Sequence, residues 1–268
     1  MFSARVIASC VLSCWLGAAW AQGTPPAKPA KPAPAASAPA AAASAAGPRA
    51  PTENTAELDE VSRLMRAGKM QEALVLADAV VQSYEDRYRR GKVQVFASRS
   101  PAEAQAYLNE VGRTPSPGKQ AMEAGVYPST WGDAYYLKSF ILTEMRRFPD
   151  ARKAIEAAVA LAPHNAAYRA ELGQLLLKEK NWDEAAKEFK RAEADAREFS
   201  PPSVRGRELA RALRGQAFVL VEEKDLDGAE KLYNECLKID ANDPVAKAEL
   251  RYIAQKRGHK PSSAAATK

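Results

Sequence analysis

At 268 residues, with 39 basic and 33 acidic residues but only two histidines and three cysteines, the chain is poor in the groups from which metal centres and nucleophilic sites are built. Its formal charge of +6 sits at the two ends: residues 1–51 hold four basic residues and residues 256–268 another four, with no acid in either. Removing those eight from 39 leaves 31 basic against 33 acidic residues, a net charge of −2 over residues 52–255, which excludes a basic nucleic-acid-binding domain.

In chain order the first element is a targeting segment. MFSARVIASCVLSCWLGAAWAQG places Arg5 before an apolar run from Val6 to Trp20 and an Ala19-Trp20-Ala21 site, the layout of a secretory signal peptide spanning residues 1–21. The run has about 15 residues where a spanning helix needs about 20, so no transmembrane span is expected after cleavage. Cys10 and Cys14 each follow a small residue, as lipidation requires, but Arg5 crowds Cys10 and bulky Trp15 follows Cys14. The expected location is therefore exported and periplasmic, with lipid anchoring at the outer membrane as the alternative. Cleavage leaves Cys236 alone, without an intramolecular disulfide partner.

Residues 22–51 are almost entirely Ala, Pro, Ser and Lys and bury nothing large, so a disordered linker is expected there, as is a disordered tail at 259–268. These basic tails offer weak contact to an anionic envelope surface. Between them, residues 52–258 read as one domain.

MQEALVLADAVVQS (70–83) opens a helical pattern with Met70, Ala73, Ala77 and Val80, in a unit near 54–87. An insertion at 88–131 then breaks the pattern. RRGKVQVFASRS (89–100) reads as a helix extension, SPAEAQAYLNEV (100–111) as a helix capped by Ser100 with Pro101 at its first position, and GRTPSPGKQAMEAGVYPST (112–130) as loop. The run Arg87, Arg89, Arg90, Lys92 reads as an exposed helical face.

From residue 132 the pattern repeats. FPDARKAIEAAVAL (148–161) and WDEAAKEFKRAEAD (182–195) pair Phe148 with Trp182, Ala151 with Ala185, Ile155 with Phe189 and Ala158 with Ala192, each 34 residues apart. LDGAEKLYNECLKI (226–239) puts Leu226, Ala229, Tyr233 and Cys236 in the same slots after an insertion near REFSPPSVRG (197–206). Small residues at the slots let neighbouring helices approach and the large ones fill the gaps, so helix pairs near 132–165, 166–199 and 210–243 must stack to cover their apolar faces. DPVAKAELRYIAQKRG (243–258) supplies a capping helix over 244–257, with Asp243 as N-cap and Pro244 first.

On these residues the chain resembles the tetratricopeptide repeat family: Ser139, Ala151, Ile155, Ala158 and Pro163 in one unit, Leu172, Gly173, Ala185, Phe189 and Ala192 in the next, and Ala217, Ala229, Tyr233 and Cys236 in the last. Signal segment, linker, YYLKSF, LAPHNAAYRAELG and REFSPP are together similar to exported members of that family from Gram-negative bacteria. The resemblance implies an all-α helix-turn-helix solenoid with an irregular insertion and a C-terminal capping helix. It also implies a concave groove lined by first helices, with Asp133, Tyr136, Phe140 and Glu144 from one unit, Gln174 and Lys178 from the next, and Arg211, Arg214 and Phe218 from the last. Phe140 and Gln174 stand where some members use Asn to clamp a carboxylate terminus, so that clamp is absent.

The expected function is a non-enzymatic envelope scaffold that binds a protein or peptide through Tyr136, Phe140, Gln174, Lys178, Arg211, Arg214 and Phe218, with no nucleic acid, metal or cofactor. The alternative is a glycan or small-molecule module, or an enzyme accessory, that uses the 88–131 insertion. His164, after Pro163, reads as a surface link residue whose change to Asn is near neutral, and Cys236 as a small core residue rather than a nucleophile.

Overall fold

The computed structural model describes residues 55–88, 93–113 and 124–258. The signal segment, the linker to Pro51, the tail 259–268, and Arg89, Arg90 and Lys92 of the basic run lie outside them. The described residues form ten helices and two short strands: α1 (Thr55–Arg66), α2 (Met70–Tyr88), β1 (Gln94–Ser98), α3 (Pro101–Arg113), β2 (Ala124–Pro128), α4 (Thr130–Glu144), α5 (Phe148–Leu161), α6 (Ala166–Lys178), α7 (Trp182–Glu198), α8 (Pro202–Glu222), α9 (Leu226–Ile239) and α10 (Pro244–Gly258).

One turn closes four hairpins, α1/α2, α4/α5, α6/α7 and α8/α9. Gly68, Arg146, Lys180 and Lys224 have φ of 73, 60, 62 and 69°. In each case that residue's N–H reaches the carbonyl three back and the next N–H reaches the carbonyl five back, as with Lys180 N to Leu177 O at 3.0 Å and Asn181 N to Leu176 O at 2.9 Å. The paired bonds satisfy carbonyls that the helix end leaves open. A left-handed residue other than glycine costs roughly 1–2 kcal/mol, so its use at Arg146, Lys180 and Lys224 shows that the hairpin geometry outweighs local preference. The turn at Gly68 also puts the first hairpin in phase with the later three, although its sequence matches the pattern least.

Every repeat slot is filled from the inside. Val61, Ser139, Gly173 and Ala217 on the first helices, and Ala73, Ala151, Ala185 and Ala229 on the second, are all buried. Ala77, Ile155, Phe189 and Tyr233 fill the space between them. Each second helix lies against the first helix of the following unit, α2 on α4, α5 on α6, α7 on α8 and α9 on α10, and the first helices also touch, α1 with α4 and α6 with α8. Ala151→Phe, at a site with 0% exposure, should therefore overpack a crossing and cost about 1–3 kcal/mol in urea unfolding; an unmoved midpoint would refute the close approach. At the end of the stack, Asp243 caps α10 by accepting from the Val245 and Ala246 N–H groups at 2.9 and 3.0 Å, and α10 buries Ala246 and Ile253 in the core it shares with α8 and α9.

The insertion corrects one expectation. The stretch expected to prolong a helix and part of the stretch expected as loop form β1 and β2, which pair in parallel with Gln94 opposite Ala124 and Ser98 opposite Pro128. The β-branched and aromatic residues Val93, Val95 and Phe96 suit an extended chain, and Phe96 and Ala97 are buried. The helix between the strands starts where expected, with Ser100 Oγ accepting from Glu103 N at 3.2 Å. A two-stranded sheet has little stability alone. This one is held because β1 lies against α3, α4 and α5, and because Tyr127 packs on Tyr88 at 4.2 Å beside Trp131 and Tyr84.

Candidate functional site

The first helices bring several of the expected groove residues together. Tyr136 of α4 stacks on Tyr168 of α6 with centroids 5.4 Å apart, and its hydroxyl accepts from Arg211 of α8 at 3.0 Å. The same guanidinium forms an ion pair with Glu171 of α6. Burial works against the Arg211 charge, but Tyr136 and Glu171 outweigh it and hold its pKa above the ordinary value. Asp133 accepts from the Tyr168 hydroxyl at 2.6 Å and from Ser129 Oγ at 2.8 Å, while burial raises its pKa. Arg214 pairs with Asp243, the residue that caps α10. Tyr136, Arg211 and Arg214, expected to meet a partner, are thus engaged in joining α4, α6, α8 and α10.

The remaining groove residues have a different character. Phe140, Gln174 and Phe218 are half-buried and Lys178 is exposed, with its ammonium 5.9 Å from the Phe148 ring. Phe140 and Gln174 occupy the same repeat position on α4 and α6, and Phe218 its counterpart on α8. Glu144, one turn beyond Phe140, has its Oε1 shut away from solvent with no hydrogen-bond partner among the described residues. An unmet buried acceptor costs about 1–3 kcal/mol.

The insertion contributes a clamp that sequence reasoning missed. Arg99, between β1 and α3, bonds Glu103 through Nε at 3.0 Å and a terminal nitrogen at 2.8 Å, and reaches Glu208 of α8 at 2.7 Å. The Arg99 N–H also donates to Glu103 at 2.7 Å, and Ser200 Oγ donates to the other Glu208 oxygen. Burial opposes the Arg99 charge, yet Glu208 and Glu103 raise its pKa. The S-P-A-E sequence at 100–103 signals a helix start with a back-reaching Glu, but nothing local marks Glu208 as its distant partner.

His164 is the second correction. It stands in the link between α5 and α6 as expected, but not on the open surface: its side chain is 18% exposed and contacts Asp195 of α7 and Glu110 of α3, while Asn165 beside it caps α6 by accepting from the Ala167 and Tyr168 N–H groups. Cys236 is buried, its Sγ donates to Ala210 O at 3.6 Å, and burial pushes the thiol up to about 12, too high for a nucleophile at neutral pH. Among the described residues, no helix is long and apolar enough to cross a membrane.

Comparison with known proteins gives the same architecture. Residues 142–201 match the family described as Tetratricopeptide repeat. No curated protein sequence matches the chain significantly. Among solved structures, PilF of Pseudomonas aeruginosa is 15% identical and aligns over 76% of this chain and 69% of its own with a TM-score of 0.52. A Podospora anserina protein of nearly identical TPR-like repeats, assigned to a kinesin light chain, is also 15% identical, over 77% of this chain and 87% of its own, at 0.51. At such identity these likenesses establish the helical solenoid fold.

Proposed function

We propose that this chain, a helical solenoid whose residues 142–201 match the tetratricopeptide repeat family, is a non-enzymatic scaffold that binds a protein or peptide along the row formed by Phe140, Gln174 and Phe218, with Lys178 beside it. The observation that carries this reading is the contrast on the first-helix face. Tyr136, Arg211 and Arg214 are tied to neighbouring helices, whereas Phe140, Gln174 and Phe218 stand in register with part of their surface in solvent. Two aromatic rings supply contact area at small entropic cost, and Gln174 supplies amide hydrogen bonds. The signal segment supports placing the scaffold in the bacterial periplasm.

Photocrosslinking residues placed at Phe140 and Lys178 in cells should trap one and the same protein, and a crosslinker at Lys153, on the exposed side of α5, should not. Equal yields from all three positions, or no protein adduct from either groove position, would remove the groove as the binding surface.

A further inference from the structure

The His164 ring lies between two aromatic rings, Tyr107 of α3 with centroids 5.4 Å apart and planes 4° apart, and Phe199 at the end of α7 at 4.2 Å and 22°. Its Nδ1 is 3.0 Å from Asp195 Oδ1 and its Nε2 is 2.7 Å from Glu110 Oε1. Ionised carboxylates only accept, so both contacts are hydrogen bonds only when both ring nitrogens carry a proton. A neutral ring keeps one N–H and turns a lone pair toward the other carboxylate. The backbone N–H of His164 donates to the Tyr107 hydroxyl at 3.2 Å, so α3 meets this link through two residues.

The charged groups around the ring decide which bond survives deprotonation. From α7 comes Asp195, whose second oxygen accepts from Arg169 Nε of α6 at 2.7 Å, and Arg169 also reaches Glu188 of α7 at 3.1 Å. From α3 come Glu110, on a side chain 51% exposed, and Tyr107, which lies near Glu103 and Arg99. Arg169 holds Asp195 in place with or without the histidine, so a single remaining N–H stays with Asp195. The bond to Glu110 is then the one that is lost.

We propose that His164 is a proton-operated latch: protonated, it fastens α3, and with it the β1–α3–β2 unit, to the repeats through both carboxylates, and deprotonated, it keeps Asp195, loses Glu110 and holds α3 less firmly. The unit it holds also carries Arg99, which reaches Glu208 on α8. The latch therefore governs how firmly the unit spans the repeats. The His164 pKa is raised above its ordinary 6.5, with the Asp195 hydrogen bond contributing most, burial opposing, and Glu110 adding next. A folded-state value raised above the unfolded one gives a stabilisation that is complete below 6.5 and is lost as pH rises through the raised value. The latch is closed in mild acid and opens toward alkaline pH.

Ring ¹⁵N NMR on the chain carrying His259→Gln leaves His164 as the one histidine to observe. At pH 6 both ring nitrogens should be protonated, and the midpoint should lie above 6.5. Hydrogen-exchange protection of residues 101–113, corrected for the intrinsic pH dependence of exchange, should fall about three- to tenfold relative to α7 across that midpoint. Glu110→Gln, at an exposed position, should lower the midpoint and abolish the differential loss in α3 while the far-ultraviolet circular dichroism stays unchanged. A ring with a single N–H at pH 6, α3 protection that tracks α7 through the titration, or a midpoint unmoved by Glu110→Gln would each overturn the latch.

Discussion

Replacing Phe189 with alanine should destabilise the protein by about 3–5 kcal/mol, read as a lower midpoint in urea unfolding. Phe189 has 0% exposure and sits on α7 between two glycines. A Cβ added at Gly173 of α6 would fall 2.8 Å from its ring, and one at Gly215 of α8 would fall 2.3 Å away. The ring therefore fills a space that two neighbouring helices open by having no side chain, and its removal leaves a cavity that the two glycines cannot fill. The reverse substitution tests the same contact: Gly215→Ala should overpack and cost about 1–3 kcal/mol. Combining it with Phe189→Leu should recover part of that loss, because the two sites share one volume. A Phe189→Ala cost below about 1 kcal/mol, or strict additivity in the double variant, would show that this crossing is not the tight contact it is taken to be.

The second large effect is expected at Arg99. Arg99→Met should cost about 3–5 kcal/mol, because it strands two carboxylates that have no water to turn to. Glu103 is 0% and Glu208 6% exposed, and the Arg99 guanidinium lies between them. Neutralising the acids as well, with Glu103→Gln and Glu208→Gln, should return most of the loss, since the greater part of the penalty is uncompensated charge rather than a lost attraction. The damage should fall first on the insertion and α8, because stacked repeats couple mainly to their neighbours. Amide exchange should thus rise in residues 94–113 before it rises in α5 or α6. A single variant as stable as the triple would overturn this account of the clamp.

Much of the fold was legible from particular residues. Ala151 with Ala185, Ile155 with Phe189, and Asp243 before Pro244 each announce a local requirement, a close crossing, a filled gap or a helix start, and each is where the helices place it. The first hairpin was less legible because Val61 and Val80 stand where smaller residues are usual, yet both are buried in the same slots. The strands were missed for a definite reason. A run as short as QVFAS next to a long helix fits a helical extension as well as a strand, and what selects the strand is a partner about thirty residues away together with the helices that cover the pair. On the candidate site, repeat position identified the first-helix face but could not divide it. Arg211 and Phe218 are equally good groove residues by spacing, and only their neighbours make one a fastener and leave the other half in solvent.

The sequence by itself determined the repeat, its phase, the small and large slots and the caps, because each of these is settled within one helix or one turn by steric fit and backbone hydrogen bonding. The tertiary structure decided which charges meet. Arg99 finds Glu208 at a separation of 109 residues, and His164 finds Glu110 and Asp195 at 54 and 31. A chain with 39 basic and 33 acidic residues allows very many such pairings of similar local merit. Desolvation selects among them, since a buried charge is tolerable only where the folded chain has already placed its partner.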